Sequence, residues 1–147
     1  MHVHDKRQAS SYFRRIESKL GVRPVRSDDD LALLVEARIP TAAVEVLSSH
    51  GISDEEIYTL VISEHSLAHR RTRGELLTQN ESERAVRLVR VAALTEEVFG
   101  DDVKAHRWLR KPKARLNGHS PLESLQSREG ACLVEEMLLQ LDNGFAA

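Results

Sequence analysis

Cysteine is almost missing from this sequence, with Cys132 the only one in 147 residues. A lone thiol excludes an internal disulfide and any zinc site built on several cysteines, and it fits a reducing cytosol. Its place in the last apolar segment reads as core filling. Long hydrophobic runs are missing too. The charged, polar start from Met1 to Arg15 is no signal peptide, and no stretch is apolar enough to span a membrane, so a cytoplasmic protein is expected. Positive charge is not in excess. The formal net charge is −2, so attraction to phosphate must come from local clusters of Lys and Arg. There is no glycine-rich phosphate loop, no GxSxG elbow and no Cys–His pair in a motif context, which leaves an enzyme reading without a residue constellation. No cofactor is implied.

What remains is helix. With 41% apolar residues the chain can bury a core as one or two small domains. Ala9, Tyr12, Phe13, Ile16 and Leu20 recur at helical spacing, so Arg7 to Leu20 reads as an amphipathic helix ended by Gly21. Pro24 and an acidic run mark a linker, after which Ser27 or Asp30 caps a short apolar helix from Leu31 to Arg38. Pro40 separates it from a helix over Thr41 to His50, ended by Gly51. Ser53 and Glu56 form a capping box for a helix to about Val61, and Ser63 caps another over Glu64 to Arg71. Two short helices meeting at so tight a corner read as a helix-turn-helix.

Thr78 and Glu81 form a second capping box, opening a long helix from Glu81 to Phe99 with Ala85, Leu88, Ala92 and Phe99 inward. Asp101 or Asp102 starts a helix carrying Val103, Trp108 and Leu109 that ends before Pro112. Ser120, Pro121 and Glu123 together give a strong helix-start signal. The last helix, about Ser127 to Leu141, buries Ala131, Val134, Leu138 and Leu141, with Gly144 just past it. No segment alternates like a strand. The fold class is all-α: an amphipathic helix and linker over 1–26, a helix-turn-helix domain over 27–99, and a small helical domain over 100–147.

The second helix of a helix-turn-helix presents its outer face to the DNA major groove. Ser63, His65, Ser66, His69, Arg70, Arg71 and Arg73 are therefore the candidate DNA-binding residues, with Leu67 inward. The arginines suit phosphates and guanine edges. His65 and His69 also have metal-ligand spacing, but Ser66 stands where a zinc protease needs Glu, and no third ligand is near, so no metal is expected. The basic residues from Lys104 to Arg115 read as a solvated face. Glu135 and Glu136 point in different directions on their helix and read as surface charges.

The residues resemble the Xre/MbcA/ParS-type antitoxins, which join an Xre-like helix-turn-helix to a C-terminal toxin-binding domain. The likeness spans roughly Leu31 to Phe145. In the first half it lies in Ser66 to Arg71, Glu75 to Thr78, Glu81 to Arg84 and Arg87 to Arg90. In the second it lies in Ala105 to Leu109, Pro112, Leu116-Asn117-Gly118, Pro121-Leu122-Glu123, Leu125, Gly130-Ala131, Val134-Glu135, Leu138 and Gly144. His119, Ser120 and Phe145 depart from the family pattern.

The resemblance implies an antitoxin that binds a RES-domain toxin, an NAD-degrading enzyme, and blocks its active site. It also implies operator binding that autoregulates the operon. Asn117 and Gly118, and a tail of Asp142, Asn143, Gly144 and Phe145 inserted into the toxin's cleft, are the expected toxin contacts. Paired operator half-sites imply a homodimer. The alternative is a stand-alone helix-turn-helix regulator without a toxin partner.

Overall fold

The computed structural model describes residues 6–144, with side chains from Ser10 onward. Among these residues all regular structure is helical: α1 (Lys6–Leu20), α2 (Asp28–Ala37), α3 (Ala42–Ser48), α4 (Asp54–Leu60), α5 (Glu64–Arg73), α6 (Gln79–Phe99), α7 (Asp102–Leu109) and α8 (Arg128–Asp142). Two 3-10 turns, Ala114–Leu116 and Glu123–Gln126, lie between α7 and α8. None of these helices is long and apolar enough to cross a membrane. The chain divides into two compact units. One is residues 13–89, and the other joins the described residues up to Tyr12 to those from Arg90 onward. The division therefore falls inside α1 and inside α6.

In α1 the aliphatic and aromatic stripe behaves as its spacing predicts: Tyr12, Phe13, Ile16 and Leu20 are buried. The side chain of Ala9 lies outside the described residues. Gly21 stops the helix in a left-handed conformation (φ +65) that favours glycine, and a Cβ there would sit 3.0 Å from Val46 Cγ2.

The unit of residues 13–89 owes its element boundaries to side-chain caps. Ser27 Oγ accepts the Asp30 amide, so α2 starts at Asp28, earlier than Leu31, with three aspartates in its first turn where the helix dipole favours them. Only Leu31 of this helix is buried. Arg38 then takes a positive φ of 70, strained for a residue with a Cβ. Its guanidinium Nε donates to the Leu77 carbonyl at 2.7 Å and its Nη2 to that of Leu76 at 3.1 Å. Beside it Ile39 N donates to the buried Ser82 Oγ at 2.9 Å, and Leu77 N donates to the Ile39 carbonyl at 2.8 Å. Three of these bonds tie the α2–α3 corner to the segment between α5 and α6, and the one to Ser82 ties it to the first turn of α6.

Ser53 and Glu56 form the reciprocal capping box expected of them at the start of α4. The corner to α5 is only three residues long. Val61 and Ile62 are buried beneath it, and Arg84 Nε donates to the Val61 carbonyl at 3.0 Å. Two adjacent aliphatic side chains under so short a turn leave α5 little freedom to swing.

The unit beginning at Arg90 is built on the last turns of α6, α7 and α8. Trp108 is buried, its ring centroid 5.8 Å from that of Phe99. The buried carboxylate of Glu96 lies 2.7 Å from His106 Nε2. Ser120 and Glu123 form both bonds of a capping box. Yet the segment that follows is a single 3-10 turn, not the α-helix that the motif predicts. The reason is spacing: Ser127, seven residues on, is extended and caps α8 through the Gly130 amide, so there is room for one turn only. Cys132 is exposed rather than in the core. The buried stripe of α8 runs through Ala131, Val134, Met137 and Leu138, and Cys132, one residue on from Ala131, is rotated about 100° off it. Leu141 is only half-buried.

Gly130 decides how closely α8 meets that 3-10 turn. A Cβ at this position would lie 2.0 Å from the backbone oxygen of Ser124, which has no flexible end to move aside. Helix propensity alone favours Gly130→Ala by about 1 kcal/mol, whereas forcing a backbone apart costs about 1–3 kcal/mol or more. The clash wins, so Gly130→Ala is expected to lower the urea midpoint. An unchanged or raised midpoint would show that the turn and α8 are free to separate.

Candidate functional site

The α4–α5 pair is the helix-turn-helix candidate, and α5 shows how its side chains divide. Leu67 is the only buried residue of α5. Taking it as the inward direction, the helical repeat of 100° per residue places His65, His69 and Thr72 opposite, with Ala68 and Arg73 on either flank. All five are exposed. Ser63 is the N-cap, its Oγ accepting the Ser66 amide at 3.1 Å, so its hydroxyl is already employed by the helix. Ser66 is half-buried.

Arg70 and Arg71 belong to the other side of the helix. Arg70 Nε and Nη2 donate to the two carboxylate oxygens of Glu81 at 3.1 and 3.2 Å. Arg71 reaches Glu45 at 3.2 Å. Of the seven residues marked in the sequence as DNA contacts, His65, His69 and Arg73 share the outward face, while Arg70 and Arg71 are drawn to carboxylates on neighbouring elements. Ala68 and Thr72, which share the outward face, escape a reading that looks for charge. The spacing i, i+3, i+4, i+7 from His65 picks them out.

Glu81 is the polar centre of this unit. Its carboxylate accepts the Thr78 amide at 2.8 Å, and its own amide donates to Thr78 Oγ1 at 3.1 Å, closing the box that starts α6 at Gln79. Burial by itself would raise its pKa. The Arg70 guanidinium and the Thr78 amide and hydroxyl outweigh burial and hold the carboxyl below its ordinary range. The hydrogen bond from Arg70 to Glu81 in turn pushes the guanidinium pKa up, so the pair stays charged.

In the C-terminal unit, Lys113 to His119 is a loop closed on itself. Lys113 N donates to the His119 carbonyl at 3.0 Å and Gly118 N to that of Lys113 at 2.9 Å. Asn117 (φ +57) and Gly118 (φ +85) make the tight turn expected of them, and both are exposed. The Lys113 ammonium lies 5.1 Å from the centre of the Trp108 ring. Burial, helped by the charge of Lys111, lowers its pKa. The segment read as a tail begins as helix: Asp142 is the last residue of α8, and Asn143 caps it, its amide and its Nδ2 both donating to the Leu139 carbonyl. Gly144 follows at φ +83. Phe145 lies outside the described residues. Among those residues, no group of three or more His, Cys, Asp or Glu is placed to hold a metal ion.

Two family models match end to end. Residues 30–90 match the Antitoxin Xre-like helix-turn-helix domain, and residues 94–144 match the Antitoxin Xre/MbcA/ParS C-terminal toxin-binding domain. A protein of Pseudomonas putida named Antitoxin Xre is 32% identical over 134 residues, covering 91% of this chain and 84% of that one. A Yersinia enterocolitica protein of the same name is 37% identical over 109 residues, or 74% of this chain and 66% of that protein.

The Glu81 environment gives a pH test. A carboxyl whose folded pKa is depressed contributes stability that is complete above its unfolded value and is lost as pH falls through the folded one. The loss therefore starts near the ordinary glutamate value of about 4.5 and deepens below it. Glu81→Gln keeps the capping shape but removes the charge. Urea midpoints across acidic pH are expected to show the variant less stable at neutral pH and the gap narrowing toward low pH. A gap of constant size would mean that the Glu81 charge adds nothing.

Proposed function

Because the chain belongs to the Xre antitoxin family, we propose that it binds a RES-domain, NAD-degrading toxin, blocks that enzyme's active site, and represses its own operon through α5. The observation that carries this reading is the pairing of a helix-turn-helix match over residues 30–90 with a toxin-binding match over residues 94–144 in one chain. The functional boundary falls near Phe99, with the DNA-reading part over 27–99 and the toxin-binding part over 100–147. The protein acts in the cytoplasm, and two copies read paired operator half-sites as a homodimer.

On the DNA side, the exposed His65, His69, Thr72 and Arg73 are the side chains offered to base edges, with Ser63 and Ser66 at the start of α5 near the DNA backbone. Arg71 has an exposed guanidinium, and its pairing with Glu45 costs little to break. Arg70 serves mainly by fixing α5 on Glu81. On the toxin side, Asn117 and Gly118 offer a turn whose shape is held by its own backbone bonds. The chain after α8, led by Asn143, Gly144 and Phe145, enters the toxin's cleft, with Asp142 at its root.

The first test is recovery of the native complex with a tag near residue 1, followed by identification of what comes with it. A stoichiometric partner whose expression alone depletes NAD supports the reading, and recovery of DNA without any protein partner at any growth stage favours the stand-alone regulator. Ending the chain at Asn143 keeps α8 and its cap, so neutralisation is expected to fail while operator binding persists. On DNA, His69→Ala and Arg73→Ala are each expected to weaken operator affinity by about 1–3 kcal/mol. Arg73→Ala should also reduce the dependence on salt. Unchanged affinity in both variants would move the reading surface off α5.

A further inference from the structure

Residues 103–122 hold six of the chain's 21 Lys and Arg and none of its 23 Asp and Glu, so this stretch is basic in a chain whose remainder is net acidic. The structure gives that charge a shape. Ala105, Trp108 and Leu109 are the buried side of α7. The helical repeat sets Val103 and Arg107 along one outward ridge with Lys104 beside it, and Arg110 caps the end of the helix with Lys111 next to it in the chain. All five are exposed, and Val103, at 67%, is one of three large apolar side chains among the described residues that are exposed. Val103 sets an apolar group among these charges.

The ridge is also held still. Arg110 Nη1 donates to the His106 carbonyl at 3.0 Å. Leu122 N donates to the Leu109 carbonyl at 3.0 Å, which fixes the end of α7 against the chain that leaves the Lys113–His119 loop. Arg115, on that loop, donates through Nη1 to Gln140 Oε1 of α8 and stands 3.9 Å from Glu136. Lys113 has its ammonium against the Trp108 ring. Charged side chains anchored in this way lose less freedom when a partner arrives than free lysines do.

We infer that the outward face of α7 is a docking surface for an acidic, partly apolar face of the toxin, and this rests on the antitoxin reading above. Two features favour a protein over nucleic acid. An exposed valine amid the arginines gives nothing to a phosphate, whereas an apolar patch ringed by arginine is what protein interfaces use. The face also lies wholly within residues 94–144, the stretch that matches a toxin-binding domain. It is continuous, through the backbone bonds just described, with the Asn117–Gly118 turn. The basic side chains would act chiefly on the rate of encounter and Val103 on the lifetime of the complex.

The test measures association and dissociation of the full-length chain with the purified RES-domain toxin encoded beside it, at low and high salt, and with operator duplex in parallel. Lys104→Glu combined with Arg107→Glu is expected to slow association with the toxin roughly tenfold or more at low salt and to flatten its salt dependence. Lys111→Glu, made separately, provides a milder change should the double variant melt early. Val103→Ser is expected to speed dissociation. Toxin kinetics unchanged in folded variants, while the wild type binds, overturn the assignment and leave the antitoxin reading intact. A wild type that binds operator but not toxin overturns that reading and this inference with it. Loss of DNA affinity with toxin kinetics intact would give the face to phosphates and defeat the proposal.

Discussion

The buried carboxylate of Glu81 is the constraint on which the helix-turn-helix unit turns. It accepts from the Thr78 amide, so it fixes where α6 begins, and it grips Arg70, so it fixes where the end of α5 lies relative to that beginning. A buried ion pair is a poor source of net stability, because desolvating two charges offsets most of their attraction. Its value lies in direction. A guanidinium held by two parallel hydrogen bonds can occupy one place only, and the helix bearing it is turned accordingly. With Arg70 committed inward, the repeat of α5 leaves His65, His69 and Thr72 outward.

The same unit is fastened from its other end by backbone. Arg38 accepts a strained positive φ, and its guanidinium satisfies the Leu76 and Leu77 carbonyls, while Ile39 and Ser82 pair in the interior. Strain of this kind persists only where the surroundings over-determine it. Here the surroundings are the segment that joins α5 to α6. The recognition-helix candidate is thus held at its start by the Val61–Ile62 corner and at its end by both Glu81 and the Arg38 clamp.

Much of this architecture was legible in the residues. Ser53 with Glu56, Ser63, and Thr78 with Glu81 are local signals: the groups that satisfy a helix start sit within four positions of it, and all were found where the sequence put them. What was not legible depends on distant partners or on geometry that residue type alone does not give. The pairing of Arg70 with Glu81, eleven residues away, does not show in the spacing that marks Arg70 as a DNA-contact candidate. Ser120 and Glu123 bond as a helix start should, but the neighbouring cap at Ser127 leaves no room for a helix. Cys132 reads as core from its type and is exposed because of its angle on α8. The close approach at Gly130 is invisible without the Ser124 carbonyl opposite. At Arg70 and Gly130 a tertiary contact adds what the local sequence does not show, whereas Ser120 and Cys132 follow from cap spacing and helix angle that residue type alone misreads.

Charge shows how one modest chain can serve two partners. With a net charge of −2 the whole molecule has no general attraction to polyanions, and its basic groups fall into two settings. On α5, Arg70 and Arg71 face carboxylates, which damps the field there, while His65, His69, Thr72 and Arg73 stay exposed on the outward side. On α7 the basic residues outnumber the two aspartates at its start, Asp101 and Asp102, so the net field of that stretch is positive. A surface meant to discriminate among sequences is better served by a weak field, since phosphate attraction is blind to base identity. A surface meant to find one protein quickly is better served by a strong one, because steering raises the encounter rate without demanding more contact area. The two settings therefore differ in balance: Glu81 and Glu45 each face one of the α5 arginines, whereas six basic residues of the 103–122 stretch follow two aspartates.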